Sequence, residues 1–174
     1  SRLFEIFWEP GLYLKNPLNL LKFWAGGMSF HGGFVGIVVA GYWYCKKKQI
    51  NFWKMADILS VPAIFALALG RIANFINGEL VGRITNVNWC VKFPGYSDCR
   101  HPSTLYAAGK RFLVFGGLVW LTFKQELHNF KPGFIFWNFV FWEGLGRIIV
   151  DFYRQNSIFL GFSLGQWFSL AMVL

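Results

Sequence analysis

Two apolar stretches of this sequence carry arginines among residues suited to a membrane interior. One reads Ala68-Leu69-Gly70-Arg71-Ile72-Ala73-Asn74-Phe75. The other reads Phe141-Trp142-Glu143-Gly144-Leu145-Gly146-Arg147-Ile148-Ile149-Val150-Asp151. A guanidinium keeps its charge on burial. Within lipid it must therefore face a counterion, an anionic ligand or water. Its planar fork matches phosphate oxygens. Arg71 and Arg147 thus mark a candidate site for a phosphate-bearing lipid, provided the fold brings them together.

The neighbours of these arginines suggest how they are held. Glu143, Arg147, Asp151 and Arg154 are spaced to lie along one helical stripe, where adjacent members can pair. Such a ladder either joins helices or, ending in arginines beside a cavity, clamps an anion. Arg71, Asn74 and Gly78 share a second stripe, with Asn77 beside it. Asn74 both donates and accepts. Glu79 has Arg83 four residues on and Arg71 within reach. The competing reading is a helix end satisfied by its own polar side chains.

His31 stands between Ser29-Phe30 and Gly32-Gly33, where low crowding lets an imidazole meet a substrate. A packed histidine bonded to a carbonyl is the alternative. His101 precedes a proline at an expected helix start, where anchoring the loop explains it as well as chemistry does. Tyr106, five residues on, is expected near the same pocket, and His128 in the opposite basic loop. The three histidines lack zinc spacing. Neither a dinucleotide or phosphate loop nor a nucleophile elbow is present. No metal or cofactor is expected.

The elements that must position these residues are apolar helices. Of 174 residues 55% are apolar and 21% aromatic, with Phe 21 and Trp 9, and only 14% are charged. An ordinary soluble domain carries about 25% charged residues. The net charge is +9. Its basic residues sit between apolar runs, which fits anionic lipid headgroups rather than nucleic acid. The expected architecture is an all-α, polytopic membrane bundle forming one embedded domain over 1–174. It has about five spans, near 24–45, 55–76 (with a kink at Pro62), 103–123, 133–152 and 158–174. Residues 1–23 read as short interfacial pieces broken at Pro10-Gly11 and Pro17. Residues 77–102 form an outward polar loop region. Lysines gather in loops 46–54 and 124–131, the expected cytoplasmic side. That places the helix ends bearing His31, Arg71, His101, Arg147 and Arg154 outside. Cys90 and Cys99 share the outward loop, as a disulfide or as two thiols.

Taken in order, several blocks resemble the prolipoprotein diacylglyceryl transferase family. Gly70-Arg71-Ile72-Ala73-Asn74-Phe75-Ile76-Asn77-Gly78-Glu79-Leu80-Val81-Gly82-Arg83 is similar to its signature stretch. So are Gly26 to Gly33, His101-Pro102-Ser103-Thr104-Leu105-Tyr106, Gly146-Arg147 through Arg154, and Gly165-Gln166. Ala107 stands where the family usually has Glu. Lys110 and Arg111 occupy positions normally apolar or acidic. By the resemblance, the family's first spans would precede Ser1.

The resemblance implies transfer of a diacylglyceryl group from phosphatidylglycerol to the lipobox cysteine of a prolipoprotein, in the bacterial cytoplasmic (inner) membrane. A thioether forms and glycerol phosphate leaves. On that reading His31 is the base or orients the thiol, and Arg71 and Arg147 hold the phosphate. Asn74 and Glu143 position the arginines, and Asn77 and Tyr106 line the substrate site. Glu79, Asp151 and Arg154 support or gate it, and Gly82 allows close backbone approach. The alternatives are a small-anion transporter or channel subunit, which needs a polar path across both faces, and a catalytically incomplete structural homologue.

Overall fold

The computed structural model describes residues 30–155, 158–159 and 162–173. The expected interfacial pieces of 1–23, the glycines at 26 and 27, and the side chains of His31 and His128 lie outside the described residues. The chain falls into two compact units that divide between Phe52 and Trp53.

In the first unit, helix α1 (Phe30–Lys48) carries Lys46, Lys47 and Lys48 in its last turn. There they meet the partial negative charge of the helix C-terminus. Lys47 also lies over the Trp43 ring, 5.3 Å from its centroid. His31 stands at the other end, roughly 20–25 Å from the lysines at 1.5 Å per residue.

The second unit contains helices α2 (Phe52–Ile76), α3 (Ser103–His128), α4 (Phe134–Asp151) and α5 (Leu164–Val173). Antiparallel pairs join β1 (Val91–Lys92) to β2 (Cys99–Arg100), and β3 (Ile158–Phe159) to β4 (Phe162–Ser163). Among the described residues the chain is thus all-α apart from these two short ribbons. Pro62 lies inside α2, which continues through it. The expected last span, 158–174, needs correction. Its first residues include the paired strands β3 and β4, and the helix begins only at Leu164. A short apolar run does not by itself separate strand from helix. Among the described residues only α2 is both long and apolar enough to cross a membrane.

Helices α2, α3 and α4 meet through Ile64, Leu118 and Ile135, with Val61, Val114, Phe115, Leu121 and Phe139 around them. Phe65 packs against Phe112 and Phe115 at ring separations of 6.1 and 5.2 Å. Polarity is otherwise inverted relative to a soluble core. Asp57, Arg100, Arg111, Glu143 and Asp151 are buried, whereas Leu113 is 80% exposed, Ile76 77% and Phe123 71%. Exposed apolar faces of this extent fit lipid, and buried charges in such a bundle face one another or a cavity.

Asp57 shows how charge builds the bundle. Its carboxylate accepts hydrogen bonds from the backbone N–H of Gly133 (2.7 Å) and Phe136 (2.8 Å) at the start of α4. The otherwise orphaned amides of one helix are thereby capped by another.

The region between α2 and α3 is shaped by three devices. Helix α2 ends in paired reverse hydrogen bonds, Glu79 N–H to the Asn74 carbonyl and Gly78 N–H to the Phe75 carbonyl, with Gly78 at φ 68°. This termination favours glycine and turns Glu79 back beside the helix end. Cys90 and Cys99 form a disulfide that closes the β1–β2 ribbon. Finally, segment 82–85 is flanked on both sides. Gly82 bridges to Arg154, and Ile84 to Arg100. A Cβ at Gly82 would overlap the carbonyl oxygens of His101 and Tyr153, so a side chain there would push apart two backbones.

Candidate active site

A small, partly open cavity lies where the C-terminal ends of α2 and α4 meet the N-terminal half of α3. Helix α2 contributes Arg71, and α4 contributes Arg147, Val150 and Asp151, with Arg154 just beyond. Helix α3 contributes Ser103, Thr104, Ala107, Lys110 and Arg111, and Leu80 closes one side. The two arginines singled out from sequence therefore share one wall-to-wall space.

Arg71, Lys110 and Arg111 at the cavity are held by hydrogen bonds. Arg71 Nη1 donates to Asn74 Oδ1 at 3.2 Å, and Asn74 Nδ2 donates to Glu79 Oε2 at 2.7 Å. Asn74 thus ties the guanidinium to a carboxylate it does not touch. Asn77 donates to the other Glu79 oxygen at 3.5 Å. The expected Glu79–Arg83 pairing does not form. Arg83 Nε instead donates to the Arg154 carbonyl at 3.1 Å, and Arg83 N–H to that of Tyr153 at 2.9 Å. These bonds hold the segment carrying Arg154.

Glu143 also departs from expectation. It does not take Arg147 one turn away. Its Oε2 pairs with Lys110 Nζ at 2.6 Å and its Oε1 with Arg111 Nη2, both on α3. Lys110 additionally donates to the Glu143 carbonyl at 3.0 Å. One carboxylate therefore neutralises two buried cations across a helix interface, and Arg147 is left facing the cavity.

Tyr106 stands outside the cavity lining. Its phenol oxygen accepts from Trp89 Nε1 at 2.7 Å and lies 3.2 Å from His101 Nδ1. Accepting from the indole leaves the phenol proton for the imidazole. His101, Tyr106 and Tyr153 form an edge-to-face cluster with centroids 5.2–5.9 Å apart. Ser103 Oγ donates to the Leu80 carbonyl at 3.1 Å, where Leu80 holds φ 54°.

Of the residues singled out from sequence, Arg71, Arg147, Asp151 and Arg154 line the cavity. Asn74, Asn77, Glu79 and Glu143 stand behind the cations. Gly82 and Tyr106 belong to the surrounding loop packing, and the His31 side chain lies outside the described residues. Sequence reasoning missed Thr104, Lys110 and Arg111 as site residues. The signal for the last two was their charge within an otherwise apolar helix.

Comparison with known proteins identifies the family. The sequence profile described as prolipoprotein diacylglyceryl transferase matches residues 1–174. The chain belongs to the prolipoprotein diacylglyceryl transferase family. Relatives named phosphatidylglycerol–prolipoprotein diacylglyceryl transferase include one from Geobacter sulfurreducens, 42% identical over 97% of this chain and 66% of its own length. Another, from Rickettsia rickettsii, is 43% identical over 98% of this chain and 68% of its own. A third, from Roseobacter denitrificans, is 39% identical over 98% and 67%. The chain spans about two thirds of the length of these relatives.

Proposed function

We propose that this chain transfers the diacylglyceryl group of phosphatidylglycerol to the lipobox cysteine thiol of a prolipoprotein. The convergence of Arg71, Arg147 and Arg154 on one cavity carries the reading. The cysteine sulfur attacks the saturated glycerol carbon that bears the phosphate ester. A C–S bond forms, the C–O bond breaks, and glycerol phosphate leaves with the bonding electrons. Arg71 and Arg147 hold the phosphate and stabilise the negative charge that builds on the departing oxygen. The thiol must lose its proton to become a nucleophile, and His31 takes it or orients the thiol. Asn74 and Glu79 fix Arg71, while Asp151 and Arg154 frame the opening. In-line attack also requires both substrates to be held in register.

We read the chain as multi-pass in a bacterial cytoplasmic (inner) membrane, with about five crossings. The apolar exposed faces of α1, α3 and α4 support this, Ile37 at 73% and Trp120 at 59% among them. Lysines at 46–48, 54, 124 and 131 belong to the cytoplasmic side. The Cys90–Cys99 disulfide fits an oxidising outer face.

The transporter reading is disfavoured by the layer beneath the cavity. Ile64, Leu118 and Ile135 are packed and fully buried between the arginines and the lysine-bearing ends. The test is reconstitution with phosphatidylglycerol and a lipobox peptide. A mass gain of one diacylglyceryl group on the peptide cysteine is expected. Anion flux across vesicles without that mass gain would overturn the reading.

A further inference from the structure

Three buried polar atoms in residues lining the cavity have no hydrogen-bond partner among the described residues: Nε and Nη1 of Arg111 and Oγ1 of Thr104. Arg111 is 6% exposed and Thr104 4%. Seven residues apart on α3, they lie on the same face. Neighbouring acceptors are already engaged. Both Glu143 oxygens are taken, by Lys110 and by the remaining nitrogen of Arg111. The Leu80 carbonyl is taken by Ser103. A buried donor left without an acceptor is costly, and such groups call for a water or a ligand.

The charge of the space says which ligand. Five cations line it, at 71, 110, 111, 147 and 154, against Asp151 at the wall and Glu143 behind. An anionic headgroup is drawn in, and an ammonium-bearing one meets an excess of like charge. A hydroxyl beside the phosphate suits Thr104, which can donate and accept.

We propose, building on the transfer reading above, that Arg111 and Thr104 form the headgroup-selecting half of the site. Arg111 donates a free N–H to a phosphate oxygen from the α3 side. Thr104 exchanges a hydrogen bond with a hydroxyl of the headgroup glycerol. Together they favour phosphatidylglycerol over phosphatidylethanolamine.

The test uses the full protein in nanodiscs and measures binding of each lipid by native mass spectrometry, alongside transfer kinetics. Thr104→Val keeps the shape and loses the hydroxyl, while Arg111→Lys keeps the charge that Glu143 requires. Each variant is expected to weaken phosphatidylglycerol binding about tenfold, to narrow the preference over phosphatidylethanolamine, and to raise KM with kcat kept. A purely structural role would lower kcat and thermal stability and leave lipid preference unchanged, which overturns the proposal. So would a wild-type protein without lipid preference. Selective wild-type binding without any transfer sinks the reaction and leaves this assignment standing. Normal transfer with both variants matching wild type sinks this assignment alone.

Discussion

Lys110 on α3 places its ammonium 2.6 Å from the carboxylate of Glu143 on α4, and the same carboxylate also holds Arg111. The lysine reaches it by lying across Gly146, where any Cβ would meet its Cδ at 2.5 Å. Among the described residues Glu143 is the carboxylate that pairs with both the buried Arg111 and the partly buried Lys110, so its loss and the loss of one cation are not equivalent. Glu143→Gln should destabilise the protein by about 3–5 kcal/mol, the range for stranding a buried charge. Lys110→Met leaves the Arg111–Glu143 pair intact and should cost markedly less. Unfolding in a denaturing detergent series reads both. Equal losses would mean that the two cations do not depend on this carboxylate.

Asp57 gives a second prediction, far from the cavity. It accepts from two backbone amides at the start of α4 and is 3% exposed. Asp57→Ala removes both bonds and should cost about 2 kcal/mol, and Asp57→Asn, with one acceptor oxygen, about 1 kcal/mol. Trp53 packs beside Trp137 at 5.9 Å, so local loosening at this helix start should also shift tryptophan emission. A stability unchanged in Asp57→Ala would refute the capping role.

These contacts show where sequence runs out. The closeness of Arg71 and Asn74 was legible, because helical spacing puts them on one stripe. The Asn74–Glu79 bond was not, since spacing pointed Glu79 at Arg83 or Arg71. Nor was the pairing of Glu143. Helical spacing names Arg147 as its neighbour, whereas the structure gives it partners 32 and 33 residues away. A contact across that separation leaves no periodic trace. Lys110 and Arg111 were conspicuous as charges in an apolar helix, yet nothing local names their counterion. Arg100 was equally opaque. It reads as loop charge but is buried, donating to the Gly82 carbonyl and to Gln155. The bounds of α2, α3 and α4 followed the apolar pattern to within a few residues, and the β3–β4 ribbon did not, since apolar content alone does not separate strand from helix.

The disulfide supplies a third prediction. Cys90 and Cys99 hold the ribbon between Trp89, which donates to Tyr106, and Arg100, which leads into His101. Closing a loop of this size contributes about 2–3 kcal/mol by restricting the unfolded chain. A Cys90→Ser/Cys99→Ser variant should lose about that much stability. It should also weaken the Trp89–Tyr106 hydrogen bond, seen as a change in tryptophan emission. Unchanged stability would mean that the loop is held by its other contacts alone.

His31 is tested by separating binding from chemistry. A general base acts in the transfer step and contributes typically 10²–10⁴-fold. His31→Gln keeps hydrogen-bonding capacity and removes basicity. Transfer should fall by about 10²-fold or more, with phosphatidylglycerol binding kept. Full transfer activity in this variant would assign the proton to another acceptor.

Arg147 tests the phosphate site itself. It lines the cavity, and Glu143, its neighbour one turn back on α4, is committed to Lys110 and Arg111. Its task would be to meet a phosphate with a planar pair of N–H groups, which a lysine ammonium replaces by a point charge. Arg147→Lys keeps the charge, so attraction of an anionic lipid into the cavity should persist. The directional bonds that strengthen as the phosphate departs are lost, and removing one such donor elsewhere costs about 10²–10³-fold in kcat. The expected outcome is therefore a fall in kcat with little change in KM for phosphatidylglycerol. A rise in KM with kcat preserved would mean that Arg147 supplies only charge, leaving stabilisation of the leaving phosphate to Arg71.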